Sequence, residues 1–326
     1  NGQDIPLTLD SDNSTTFDSG QTERILHLTC NKQTFTFTGI DEEPAFHSLF
    51  RDMSAPVTVD TGLTTEQLLQ QFQRDPNGFN RWDAGQKLAL GEMKRLYSAY
   101  AKTGTMPEVN KTYLETLKTV ASIATHPTIK FDAALLAQTL TLPGVDELEA
   151  SISEPVKPAA IAAVMKQMNQ SVSDELMATS HFIFNNMNDG KPYSFDYEGV
   201  SRRALKRVAM DNLLSNSDEQ FKPYRNAASA MYASADNMTD KMIALSALND
   251  FVGDPLREAA MQDFYDKHKN DSLVIQKWFV LQGAATADSD HLIGHGHGHR
   301  VTHGHRNGSE WRTGAHPLQH VAARAG

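Results

Sequence analysis

Cysteine is almost absent from this 326-residue chain, and Cys30 stands alone. One cysteine excludes an intramolecular disulfide framework and fits a reducing compartment, so a cytoplasmic location is expected. Long apolar runs are missing too. Nothing approaches the roughly 18 consecutive apolar residues of a membrane helix, so no membrane partner is expected. Basic residues are outnumbered, 30 Lys and Arg against 40 Asp and Glu, for a formal charge of −10. That balance argues against a nucleic-acid backbone or an anionic membrane as partner. It is also uneven: residues 291–326 hold four Arg and one Glu, so the body before them is more acidic still. The chain lacks an initiator Met, opening on Asn1–Gly2, which raises the expectation of a piece of a longer protein. Asn-x-Ser/Thr triplets begin at Asn13, Asn110, Asn169, Asn237, Asn270 and Asn307. No secretory leader accompanies them, and they are read as chance.

What is present begins with strands. Ile5, Leu7 and Leu9 alternate with other residues, as do Leu26, Leu28 and Cys30, and Thr34–Thr38 alternates cleanly with Phe35 and Phe37. Asn31–Lys32 fits a hairpin turn, and Val57 and Val59 make a fourth short strand. Four strands are too few for a closed sandwich of about seven. Residues 1–60 are therefore expected to be the later part of an immunoglobulin-like β-sandwich, whose covering sheet is supplied from elsewhere.

From Thr64 the apolar period changes from two to about 3.6. Thr64-x-x-Gln67 is a capping box. Asn80, Asn110, Asp132 and Asp196 can each open a helix, Asp146-x-x-Glu149 is a further box, and Pro158 begins another. Separate helices are expected through Ile161–Met168 and through Leu176–Phe184. Between 236 and 282 three helices follow one another. Thr239 or Asp240 caps the first, whose stripe is Met242, Leu245, Leu248 and Phe251–Val252. Asp254–Pro255 starts the second, with Leu256, Ala260, Met261 and Phe264 inward. Asn270–Ser272 breaks the chain before the third, lined by Val274, Trp278 and Leu281. The expected class is mainly α: a partial sandwich (1–60), an α-helical solenoid of stacked hairpins (61–289), and a tail (290–326) that reads as disordered.

Motifs that carry chemistry are scarce along the same chain. No G-x-S-x-G, Walker loop or G-x-G-x-x-G occurs, and no H-E-x-x-H, the spacing that puts two imidazoles and a carboxylate beside one zinc ion. His27, His47, His126, His181 and His268 are isolated and read as surface or packing residues. Cys30 has no neighbouring base. Trp82, Trp278 and Phe279 read as core, and Met165, Met168, Met177, Met231, Met238, Met242 and Met261 as filler between helices. The tail's His295-x-His297-x-His299 with His303-x-His305 would bind Ni²⁺, Cu²⁺ or Zn²⁺ in vitro. No catalytic, cofactor-binding or metal residue is assigned.

Several stretches carry a resemblance. DNMTDKMIALSAL from Asp236, DSLVIQKWFVLQ from Asp271, QTFTFTGI, SAPVTVD, FNRWDAGQKLA and TLTLPGVDELEA together resemble the alanyl aminopeptidase (aminopeptidase N) family, most closely its bacterial type. The resemblance covers residues 1–289. It implies the end of a small β-sandwich and a helical domain that covers the active site and limits access to it. It also implies a parent that removes N-terminal residues from peptides with one zinc ion. The family's zinc motif, its G-x-M-E-N motif and its transition-state Tyr have no matching position here, so they belong to N-terminal catalytic domains outside this sequence. The chain alone is expected to be inactive. The competing reading is a non-catalytic helical scaffold that binds a peptide or protein partner.

Overall fold

The computed structural model describes residues 6–10, 22–54, 56–187, 192–215 and 219–285. The histidine-rich tail lies outside the described residues. Strand structure is sparser than the alternation predicts. Among the described residues two two-residue strands, β1 (Thr8–Leu9) and β2 (Phe37–Thr38), pair antiparallel, with Leu9 opposite Phe37. The expected strands at 26–30 and around Val57 do not form. Ile25, Leu28 and Val57 are instead exposed, at 84%, 63% and 56%. A strand is defined by its neighbour's hydrogen bonds, and these runs have none among the described residues. The Asn31–Lys32 bend closes a local loop, in which the Thr29 N–H donates to Gln33 Oε1 at 3.0 Å.

The helices begin where local chemistry satisfies their first N–H groups. For α1 (Thr65–Arg74), Thr64 Oγ1 accepts from the Gln67 N–H and Gln67 Oε1 accepts from the Thr64 N–H, a reciprocal box. Then follow α2 (Gly78–Thr103), α3 (Lys111–Ala121, continued by a 3-10 turn to Thr125) and α4 (Ala133–Leu140). After these come α5 (Val145–Ala150), α6 (Pro158–Met187) and α7 (Tyr197–Leu214). The last four are α8 (Lys222–Ser234), α9 (Met238–Leu248), α10 (Pro255–His268) and α11 (Ser272–Ala284). Asn110, Asp132, Asp196 and Asp254 cap the helices they were expected to open, and Asp271, expected only as part of a break, caps α11.

Other starts shift. Asn77, not Asn80, caps α2, with its Oδ1 accepting from the Asn80 N–H at 3.0 Å. Glu147 reaches back to the Gly144 N–H, so α5 begins before the predicted Asp146–Glu149 box. Asn237, not Thr239 or Asp240, caps α9, which stops at Leu248 and leaves Val252 40% exposed. The two helices expected between Pro158 and Phe184 are one helix of 30 residues, because nothing near Asn169–Gln170 breaks the backbone.

The helices pack on one another in relay. Helix α1 lies on α2, and α2 and α3 lie on α6. Helix α6 lies on α7, α7 on α9, α9 on α8, and α8 on α10, which carries α11. Among the described residues no strand interrupts the helices. The core runs through this relay as one cluster that includes Phe72, Met93, Leu96, Met168, Leu205, Leu245 and Phe264. Inner helices bury faces against two or more others and α11, at the end, against α10, the arrangement of a solenoid. Fit is tight where α1 meets α2. Phe72, 1% exposed, lies on Gly85, and a Cβ at Gly85 would stand 2.6 Å from its ring. Gly85→Ala is expected to cost about 1–3 kcal/mol through overpacking. In a double-mutant cycle, Phe72→Leu should make the second change cheaper than the sum of the two. Additive denaturation midpoints would contradict this close packing.

Candidate functional site

The sequence assigns no site residue, and the structure gives four of the five isolated histidines local work, while His27 is exposed. His126 Nδ1 accepts from the Thr128 and Ile129 N–H groups, both at 3.3 Å, and so stops the turn after α3. His181 lies between Asn185 Nδ2 (2.9 Å) and the Tyr224 hydroxyl (3.1 Å). His268 packs on Phe264, and His47 Nε2 is 3.0 Å from the Thr61 carbonyl. Cys30 is exposed, its Sγ donating to the Lys32 carbonyl. The Trp278 indole N–H donates to the Met261 carbonyl at 3.0 Å, which fixes α11 on α10. Phe279, expected in the core, is instead 59% exposed, because its position on α11 faces away from α10. The seven methionines pack in or against the core as expected.

Polar chemistry concentrates at one corner, where the chain enters α7. Tyr193, Phe195 and Tyr197 alternate along the approach and are 43%, 84% and 68% exposed. The Arg203 guanidinium stacks over the Tyr193 ring at 4.5 Å and donates to the Ser194 carbonyl at 2.8 Å. The Tyr193 N–H donates to Asp236 Oδ2, which ties the approach to the segment before α9. The Tyr197 hydroxyl donates to Asp132 Oδ2 at 2.6 Å, linking α7 to the cap of α4. Beneath, Lys206 Nζ meets Asp240 Oδ1 at 2.7 Å, and Lys206 is only 5% exposed. A shallow depression of about 270 Å³ opens among Pro192, Ser194, Asp196, Glu198, Gly199 and Arg202.

Hydrogen bonds favour the ionised form of three of the corner's acids, Asp132, Asp196 and Asp236. The Tyr197 hydroxyl bond, then the Leu135 and Ala134 N–H bonds, keep Asp132 below the usual carboxylate range. The Gly199 N–H does the same for Asp196, and the Asn237 side chain for Asp236. The bond to Asp132 raises Tyr197. Anions fixed in this way orient helices but exchange no proton near neutrality. Among the described residues no group of three or more His, Cys, Asp or Glu side chains could hold a metal ion. The corner's sequence signal was the aromatic alternation Tyr193–Phe195–Tyr197. The Lys206–Asp240 pair had none, since its members lie on different helices.

A second polar knot ties the end of the helical relay. Arg257, buried at 3% exposure on the otherwise apolar side of α10, donates from Nε to the Asn249 carbonyl (3.0 Å). Its Nη2 reaches Gln282 Oε1 (3.1 Å), and its Nη1 reaches Glu258 (2.7 Å). The Asn249 Nδ2 donates to the Leu281 carbonyl at 2.8 Å. Three elements are joined: the end of α9, the start of α10 and the end of α11.

Comparison with known proteins fits this architecture. Residues 65–293 match a family model described as a domain of unknown function (DUF3458_C) with ARM repeats. Residues 2–62 match its companion (DUF3458), described as an Ig-like fold. Aminopeptidase N of Escherichia coli strain K12 is 30% identical over 263 residues, which is 81% of this chain and 29% of that protein. Aminopeptidase N of Haemophilus influenzae is 29% identical over 82% of this chain and 29% of its own. The chain thus spans under a third of the length of these relatives. A crystal structure of Legionella pneumophila aminopeptidase A in complex with aspartic acid superposes with a TM-score of 0.59. At 23% identity, over 76% of this chain and 29% of that one, it shows the shared fold. With helical repeats following an Ig-like segment and with these relatives, the chain belongs to the alanyl aminopeptidase (aminopeptidase N) family, as a C-terminal portion of the bacterial type.

Proposed function

We propose that this chain is the non-catalytic, access-restricting portion of a zinc aminopeptidase that removes N-terminal amino acids from peptides. The observation that carries the reading is the match of residues 65–293 to the helical-repeat family model, in a sequence without H-E-x-x-H. In this reading residues 1–60 end a sandwich, 61–289 form the helical domain, and 290–326 form a separate tail. The zinc ion implied for the parent does not fit here: the described residues offer no cluster of ligands for it. No step of the hydrolysis is therefore assigned to a residue of this chain. What the chain contributes is a rigid wall, held by capped helices and by the two polar knots, past which peptides reach chemistry located elsewhere.

The purified chain is expected to show no turnover of aminoacyl-anilides, with or without added zinc. Zinc-dependent turnover that persists after a contaminant control would overturn the non-catalytic assignment. Removing the helical repeats from a parent enzyme, if it remains folded, should raise cleavage of long peptides relative to dipeptide-sized substrates. An unchanged ratio would remove the access-restricting role. The exposed rings of Tyr193, Phe195 and Tyr197 favour a second reading, a scaffold that binds a peptide directly. Saturable binding of peptides by the isolated chain, lost in Phe195→Ala, would support that alternative.

A further inference from the structure

Between β2 and α1 the chain crosses to the helices through a turn at residues 48–53, which docks on the corner between α1 and α2. The corner is built to receive it. Asn80 is buried in the first turn of α2, and its Nδ2 donates to Ser48 Oγ (2.8 Å) and to the Leu49 carbonyl (2.9 Å). Asn77, while capping α2, donates from Nδ2 to Asp52 Oδ1 at 2.7 Å. Arg51 pairs with Glu23 from the preceding strand segment and lies 4.0 Å from Asp75, the buried carboxylate that ends α1. One guanidinium thus faces an acid from each side of the junction.

The docked turn is strained. Phe50, Asp52 and Met53 have φ of 51°, 55° and 52°, and none is glycine. This left-handed region is unfavourable for any residue with a Cβ, and such strain persists where surrounding contacts hold it in place. Farther out, Gly39 (φ 74°) and Gly62 (φ 64°) flank the crossing, and a Cβ at either would meet nothing within 4 Å. Nothing packs against either end of the crossing at these glycines, while its middle is pinned by side-chain hydrogen bonds against the preference of its own backbone.

We propose that residues 48–53 form a spring-loaded latch. Asn77, Asn80 and Asp75 hold it docked, left-handed strain opposes them, and the strand segment is fixed to the helices only while it is closed. Opposed terms of similar size are what give an element two populated arrangements. The inference needs nothing from the proposed enzymatic role.

Trypsin cleavage after Arg51 in the full chain, divided by the rate in a matching peptide of residues 44–60, reports how often the latch opens. Asp52→Ala removes the acceptor for Asn77 and, since alanine tolerates the left-handed region less well than aspartate, relieves none of the strain, so protection should fall about tenfold. Met53→Gly removes strain from an exposed position and should raise protection several-fold, to about fivefold. Amide exchange within α6 serves as the control that each variant is folded. The opposite signs of the two variants carry the proposal. Wild-type protection near one would overturn it, and so would Met53→Gly changing protection in the same direction as Asp52→Ala or not at all.

Discussion

Asp240→Ala is expected to destabilise the helical array by about 3–5 kcal/mol, far more than a typical change at a partly exposed helix position. The cause lies in the partner left behind. Lys206 is 5% exposed, with its Nζ 2.7 Å from Asp240 Oδ1, so alanine at 240 strands a desolvated ammonium between α7 and α9. Removing both charges is a different experiment. Lys206→Met with Asp240→Ala leaves no stranded ion, and an apolar stem of similar length still fills the site. The double variant should recover most of the loss. Chemical denaturation midpoints of the single and double variants measure the difference. A cost below about 1 kcal/mol for Asp240→Ala would place the pair in the regime of exposed salt bridges and contradict its burial.

Arg257→Ala should have an effect of the same order, about 3–5 kcal/mol, by a different route. Here the residues left behind are acceptors. The Asn249 carbonyl loses its donor in a buried setting, Asn249 being 5% exposed, and the partly buried Gln282 Oε1 loses one too. The loss should be local in character. Helix α11 is bound to α10 through the Trp278 indole and through this knot, so hydrogen exchange in α11 should speed first, while α6 stays protected. Arg257→Lys should not rescue, because a single nitrogen cannot stand at the three separate positions from which Nε, Nη1 and Nη2 donate. Uniform loss of protection across all helices would show that the knot supports the whole relay rather than its end.

Much of the helical relay was legible because its punctuation is local. Thr64 with Gln67, Asn110, Asp132, Asp196 and Asp254–Pro255 act on N–H groups two or three residues away, so sequence spacing is enough. Misplacements arose where a capping residue type is used for something distant. Asn80 looks like a cap and is instead a donor to Ser48 and Leu49, about thirty positions earlier in the chain. Helix α8 went unread because Phe221 precedes it without a side-chain cap, and its start rests on Pro223 alone. Arg257 was hidden in an apolar stripe, since period alone assigns that position to the core and says nothing of a guanidinium's partners. The strands failed for the opposite reason. Alternation states which face a strand would show, but pairing needs a neighbour, and Ile25 and Leu28 have none among the described residues.

The corner that receives the turn at 48–53 also bears on how the chain ages. Asn77 is followed by Gly78, the dipeptide in which the next backbone nitrogen most readily attacks the asparagine amide carbon and expels ammonia. That attack needs the side chain free to rotate and the backbone free to bend. Here the amide is committed at both ends, with its oxygen receiving the Asn80 N–H and its nitrogen bonded to Asp52, while Gly78 is already wound into α2. Deamidation is thereby coupled to undocking. Each excursion that frees Asn77 exposes the bond to an irreversible conversion, and the aspartate or isoaspartate it produces can no longer donate to Asp52 and adds a negative charge beside it. The chain's chemical lifetime at this position is therefore a cumulative record of how often the junction has come apart.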